Sequence, residues 1–299
     1  MTVAVLGATG FLGSSIVSHL RQQGHTVHAW GRSLVRPDEQ NFRWQAGNVN
    51  AMDESWLQYD AVVYAAGAGV QSQLSTDFEQ LMSVNFLYPA HLMYFLSAGS
   101  YRGFYISFGS YFEIGDNGDP QTFTEEEVAH SRHLVPNPYC STKRLLTRWV
   151  SSTSWSMGYT HLILPTIYGE GEASHRLIPY LVNCATAGTP PRLTAGTQVR
   201  QYVHVQDVCR AVEALLSQAL RVPLLNMAAN EVWSVQALAR HVYGAIGVEL
   251  PLEAFGQVTA RDRSMGYLAL DSTRYQNLNL PKPVMKIQQY IQQLLSHHV

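Results

Sequence analysis

The chain has 299 residues, enough for one large α/β unit and a smaller partner. Charged residues make up only 14 % against 46 % hydrophobic, and a net charge of −2 offers no basic footprint for nucleic acid or an anionic membrane. Three scattered cysteines, Cys140, Cys184 and Cys209, are too few for a disulfide framework and too far apart for a zinc cluster, so no metal is expected. The first apolar run begins at Thr2, without a leader-like stretch before it, and no run approaches the ~18 apolar residues of a membrane span. The expectation is therefore a cytoplasmic protein in a reducing compartment. Its sparing use of charge suggests that some surface is buried in a homodimer, through apolar helices around Phe86 to Leu96 and Leu145 to Val150.

Short β-branched runs alternate with helix-length segments through the first half. Thr2–Leu6 reads as a strand, followed by a helix from about Phe11; Thr26–Trp30, Phe42–Ala46 and Ala61–Ala66 read as further strands. A long helix precedes the strand Gly103–Phe108, and another helix is predicted from about Pro138 to Met157, ahead of a buried strand at Thr160–Pro165. Such alternation predicts a parallel sheet with helices on both faces. Beyond Pro165 the pattern loosens into loops rich in Gly and Pro, in which Val199–Val205 reads as a strand, with helices over Asp207 to Leu220 and Ser234 to Ile246.

Immediately after the first strand comes Gly7-Ala8-Thr9-Gly10-Phe11-Leu12-Gly13, three glycines at three-residue intervals leading into a helix. Glycine there permits tight turning and close backbone approach to a pyrophosphate, whose charge is met by the helix N-terminus. The GxxGxxG spacing resembles the short-chain dehydrogenase/reductase family. That resemblance implies a doubly wound parallel Rossmann sheet with a second, smaller α/β substrate domain. The dinucleotide-binding domain would be 1–165 and the substrate domain 166–299, with a segment near 200–216 crossing back.

A carboxylate at the end of the second strand would bond the adenosine ribose and repel a 2′-phosphate. Gly31 stands there instead, followed by Arg32-Ser33, a guanidinium and a hydroxyl suited to a phosphate dianion. The cofactor expected is NADP(H); a solvated arginine after a strand is the plain alternative. Gly47-Asn48-Val49 resembles the family's G-D-(V/L) segment, which assigns Asn48 and Val49 to the adenine end. Asp60 to Gly67 resembles the family's fourth strand, which puts Ala65, Ala66 and Gly67 beneath the cofactor, and Asn85 matches its structural Asn.

Tyr139-Cys140-Ser141-Thr142-Lys143 matches YxxxK, and residues four apart share a helix face. An adjacent ammonium favours phenolate, so Lys143 is expected to lower the pKa of Tyr139 while bonding the nicotinamide ribose. The stretch from Ile106 to Gly115 is similar to the G-S-x-x-E-Y-G form of some extended family members, with Ile114 for Tyr. It assigns Ser110 to the reacting oxygen, with Ser107 as runner-up. No Asp-Glu pair follows the serine as in sugar 4,6-dehydratases, which argues against dehydration.

Arg200-Gln201-Tyr202-Val203-His204-Val205-Gln206-Asp207-Val208 resembles the R-(D/Q)-(Y/F)-V-H-V-x-D-V block of nucleotide-sugar enzymes, so Arg200 is expected to bind the substrate diphosphate. Arg261, ten residues before Asp271, is a second candidate. Tyr202, His204 and Asp207 are expected to pack the strand and cap a helix. In Leu164 to Gly169, Leu164 and Thr166 replace the family's Arg and Asn; Pro165 is assigned to the cofactor and Thr166 to substrate. The partner expected is a nucleotide-linked sugar, and the reaction NADPH-dependent reduction of a 4-keto-6-deoxy type. Epimerisation with a retained cofactor and a silent NADP sensor stay open beside it.

Overall fold

Strand β1 (Thr2–Leu6) shows why the sheet must be covered twice: Val3 and Val5 join one core while Ala4 and Leu6 join another, and none of the four is exposed. The structure is a computed structural model and describes residues 1–32, 41–44, 52–69, 77–258 and 265–296. Ser33, Asn48, Val49 and Arg261 lie outside the described residues.

After β1 come α1 (Phe11–Gln22), β2 (Thr26–Gly31), β3 (Asn41–Arg43) and β4 (Ala61–Tyr64). Helix α2 (Phe78–Met82) runs through a π turn, Ser83–Leu87, into α3 (Tyr88–Ala98); β5 (Phe104–Ser110), α4 (Glu125–His130), α5 (Pro138–Ser151) and β6 (Gly158–Leu164) follow. These strands pair in parallel in the order β3-β2-β1-β4-β5-β6, and a seventh, β9 (Leu224–Asn226), pairs with β6 from much later in the chain. Apolar residues of α1 fill one face of the sheet; those of α3 and α5 fill the other. The expected doubly wound α/β Rossmann-like sheet is therefore present.

The second sheet is built on β8 (Val199–His204). It pairs in parallel with β7 (Thr166–Tyr168) and β11 (Tyr267–Leu268), and antiparallel with β10 (Glu231–Ser234). A separate core joins α6 (Leu177–Thr186), α8 (Val235–Ile246) and α10 (Ile287–Ser296). Directly after β8, α7 (Val205–Ser217) returns to the large sheet and buries Val208, Ala211, Val212 and Leu215 in the core shared with α1. His204 caps this helix, Nδ1 accepting from Gln206 N–H at 3.2 Å. The buried Asp207 carboxylate accepts from Val284 N–H and Met285 N–H, both at 3.1 Å, and from Arg210. Short helix α9 (Thr273–Asn277) adds Tyr275 to the same core. No described helix is long and apolar enough to cross a membrane.

Candidate active site

The glycine loop is dictated by contact between backbones. Gly7 has φ +82°, and a Cβ on it would lie 2.5 Å from Ala66 N; a Cβ on Gly13 would lie 2.2 Å from Gly7 O. The turn closes with Gly10 N–H donating to Gly7 O at 2.9 Å. Gly7 and Ala8 N–H both donate to Trp30 O, which ties the loop to β2. Gly10 caps α1 without a side-chain cap, and the first turn, from Phe11 through Leu12 and Gly13, holds no acidic residue. A helix start left open in this way fits a pyrophosphate.

Ala65, Ala66 and Gly67 continue from β4 alongside the loop, and a Cβ on Gly67 would find only Asn85 Oδ1, 3.9 Å away. Asn85 fixes this edge, accepting from Ala68 N–H at 2.9 Å and donating to Ala68 O and to Thr142 Oγ1, each at 3.0 Å. Arg32 is exposed just past the end of β2, beside Gly31. Pro165 sits between β6 and β7.

Ser110 closes β5, and Tyr139 and Lys143 lie on the first turns of α5, which Asn137 caps by accepting from Cys140 N–H at 3.0 Å. Ser110 lies close enough to Tyr139 to act on its phenol, and Ser110 Oγ accepts from Phe112 N–H at 3.3 Å. Ser107 is turned away from the phenol and buried against His161, with Oγ and Nδ1 2.7 Å apart. Ser110, not Ser107, therefore stands beside Tyr139.

The electrostatics differ from the sequence expectation. The phenol of Tyr139 is pushed up, not down, because desolvation outweighs the opposing influence of Ser110. Lys143 Nζ donates to Phe108 O at 2.7 Å, and burial brings its pKa down to about 8. Desolvation explains both directions, since it penalises phenolate and ammonium alike.

Arg200 projects from β8 and is only 5 % exposed. Its Nη1 donates to Val199 O at 2.8 Å and its guanidinium lies 5.8 Å from the Phe112 ring, while buried Nη2 has no partner among the described residues. Thr166 does not present a free hydroxyl: Oγ1 is 2.6 Å from Tyr111 Oη. Sequence reasoning missed two residues. Arg176 lies in a loop without periodicity; it packs 6.0 Å over the Phe11 ring of the glycine loop, pairs with Glu172 at 3.1 Å and acts on the Tyr139 phenol. Glu113 is fully buried beneath Ser110, and its only local signal is the Ser-x-x-Glu spacing of a capping box. Among the described residues no cluster suits a metal ion.

Residues 3–227 match the NAD dependent epimerase/dehydratase family. The chain belongs to that family. A CDP-abequose synthase of Salmonella typhimurium is 23 % identical over 229 residues, covering 74 % of this family member and 72 % of the relative. A low-salt glycan biosynthesis protein of Haloferax volcanii is 28 % identical over 237 residues, covering 73 % and 74 %. The fold also matches the crystal structure of the Thermus thermophilus UDP-glucose 4-epimerase complex with NAD, with a TM-score of 0.80 at 19 % identity over 97 % of this chain and 96 % of the other.

Proposed function

We propose that this epimerase/dehydratase family member is an NADP(H)-dependent oxidoreductase that reduces a 4-keto-6-deoxy sugar carried on a nucleoside diphosphate. The observation that carries the reading is that Ser110, at the end of β5, acts on the phenol of Tyr139 at the start of α5, in a chain whose glycine loop leaves the start of α1 open and whose buried Arg200 Nη2 has no partner among the described residues.

Bound reduced nicotinamide would supply the hydride. The protein's own part is to deliver a proton and hold the substrate. A phenol kept protonated by burial is a proton donor, the state a reduction requires of Tyr139 at its start. Ser110, beside that phenol, offers a hydroxyl that can hold the developing alkoxide. Lys143, an ammonium with one donor already on Phe108 O, has two left for a ribose. A buried donor without an acceptor calls for an anionic partner, and a diphosphate on Arg200 supplies one. Binding energy at that remote group then positions the reacting carbon.

Gly31 and exposed Arg32 support NADP(H), whereas the structural neighbour was solved with NAD. The name of the Salmonella relative denotes a nucleotide-linked sugar, which supports the substrate class. Epimerisation on the same residues is the second reading, favoured by the likeness to the Thermus epimerase. The test is to follow NADPH consumption with a panel of nucleotide-linked keto sugars while assaying epimer formation. Stoichiometric loss of NADPH supports reduction; an epimer without net consumption replaces it with the second reading. We further propose a homodimer through α3 and α5, beside which Leu87, Tyr94 and Leu145 are exposed. Light scattering at micromolar concentration should give twice the chain mass.

A further inference from the structure

Beneath Ser110 runs a line of buried polar groups that none of these steps uses. Ser110 N–H donates to Glu113 Oε1 at 2.6 Å, and Thr147 Oγ1 lies 2.5 Å from Glu113 Oε2. Thr147 Oγ1 is 2.9 Å from His161 Nε2, and His161 Nδ1 is 2.7 Å from Ser107 Oγ. Glu113, Thr147 and His161 are wholly shielded from solvent. Gly109 makes the closure possible, since a Cβ there would lie 2.8 Å from His161 Nε2 and 2.9 Å from Glu113 Oε1. Arg144 clamps the same turn, its Nε donating to Glu113 O at 2.7 Å.

We propose that Glu113 is a positioning residue for the reaction: its carboxylate fixes the backbone of Ser110 and, through Thr147, sets the tautomer of His161. The inference rests on the proposed reduction for its kinetic readout alone.

Hydrogen-bond polarity supplies the argument. A charged Glu113 only accepts, so Thr147 must donate to it, receive from His161 Nε2–H, and leave Nδ1 to accept from Ser107. A proton on Oε2 reverses every member: Thr147 then donates to Nε2, and Nδ1–H donates to Ser107. His161 stays neutral in both cases, because burial, with Lys143 adding to it, lowers its pKa to about 3. The titratable groups facing Glu113 are Lys143, Arg144 and Tyr139 of α5 and, through Thr147, His161 of β6. Helix α4 and strand β11 cover the turn with Val128, Ala129 and Leu268, which carry no charge. Burial pushes Glu113 up to about 6, against the bonds from Thr147 and Ser110 and the two cations. Burial pulls Lys143 down to about 8, and Glu113 acts the other way. Both are charged between those values, so removing the carboxylate must lower Lys143 further.

Two measurements on the full-length protein test this. In nitrogen-15 histidine spectra, with His161 assigned by its loss in His161→Gln, wild type at neutral pH should show the Nε2–H tautomer. Glu113→Gln should show Nδ1–H, because its amide must donate to Thr147. In kinetics, Glu113→Gln should move the alkaline limb of kcat down by roughly one pH unit or more, about a tenfold loss on that side, with KM unchanged. Glu113→Asp, which keeps the charge, should restore the limb. The same tautomer in both proteins, or an unmoved limb, overturns the proposal. If Glu113→Gln does not fold, titrating wild type through about pH 6 must itself interconvert the tautomers, and a single tautomer throughout overturns it equally. Absence of turnover in wild type would instead sink the reductase reading, with the tautomer result still deciding this one.

Discussion

A Cβ on Gly31 would lie 2.6 Å from Cγ2 of Thr9, so the end of β2 and the glycine loop touch where an acidic side chain would have to begin. An acidic residue at position 31 is then excluded sterically, which supports the proposed NADP(H) preference. NADP(H) should bind more tightly than NAD(H) in calorimetric titration, and Arg32→Ala should weaken NADP(H) alone by roughly tenfold or more, the usual worth of a charge-assisted hydrogen bond. Gly31→Asp by itself should weaken both cofactors, whereas Thr9→Ala with Gly31→Asp should favour NAD(H). Equal affinities in the unmodified protein would contradict this.

Tyr139→Phe keeps the ring and deletes the proton. Turnover should fall by roughly 10²–10⁴-fold, the contribution of a positioned acid, with substrate affinity nearly unchanged. Steady-state kinetics on an identified substrate check it; near-normal turnover would show that another group delivers the proton.

Arg200→Ala should act on binding instead. Losing a charge-assisted contact to a diphosphate costs about 1.5–3 kcal/mol, roughly 10–150-fold in substrate affinity. NADPH affinity should hold, because the glycine loop and β8 belong to different sheets. Calorimetry with the free nucleoside diphosphate, with and without NADPH, separates the two, and parallel loss of both affinities would refute separate sites.

Glu113 makes stability and turnover pull in opposite directions. Its folded pKa of about 6 lies above the usual 4.5, so the folded chain holds this proton more tightly than the unfolded one. The stability so gained is complete below about 4.5 and is lost as pH rises through 6. At neutral pH the buried carboxylate therefore costs about 2 kcal/mol relative to a neutral carboxyl. Glu113→Gln, which can satisfy both Ser110 N–H and Thr147, should raise Tm at neutral pH by roughly 3 °C. The gain should shrink as the solution is acidified towards pH 4.5. A lower Tm for this variant at neutral pH would mean that the carboxylate stabilises the fold.

What the sequence reveals divides by distance along the chain. The turn at Gly7 to Gly13 and the shared face of Tyr139 and Lys143 depend on neighbours a few residues away, so spacing alone makes them legible. The alternation of the first half likewise yields the doubly wound sheet. Strands β7, β9 and β10 are three or four residues long and exist because β6 and β8 offer them edges, which no local pattern records. Glu113 is readable as a capping residue, but Thr147, its partner in the interior, is 34 residues away. The rise of the Tyr139 phenol was missed for the same reason, since it depends on how deeply the whole fold shields the ring.

The return of the chain to place β9 against β6 bears on how the protein can be cut. A fragment ending at Leu164 would keep the glycine loop, Ser110, Tyr139 and Lys143, yet it would finish on β6, a strand with all seven residues buried in the intact fold. Without Leu224–Asn226 one edge of that strand would be left with unpaired amides and carbonyls, and without α7 the apolar side chains of α1 would lose their cover. Such an edge is a template for pairing with other chains. The excised half would be prone to aggregate, so any rearrangement of this protein, whether truncation, fusion or transplant, has to carry residues 205–226 along with the first sheet.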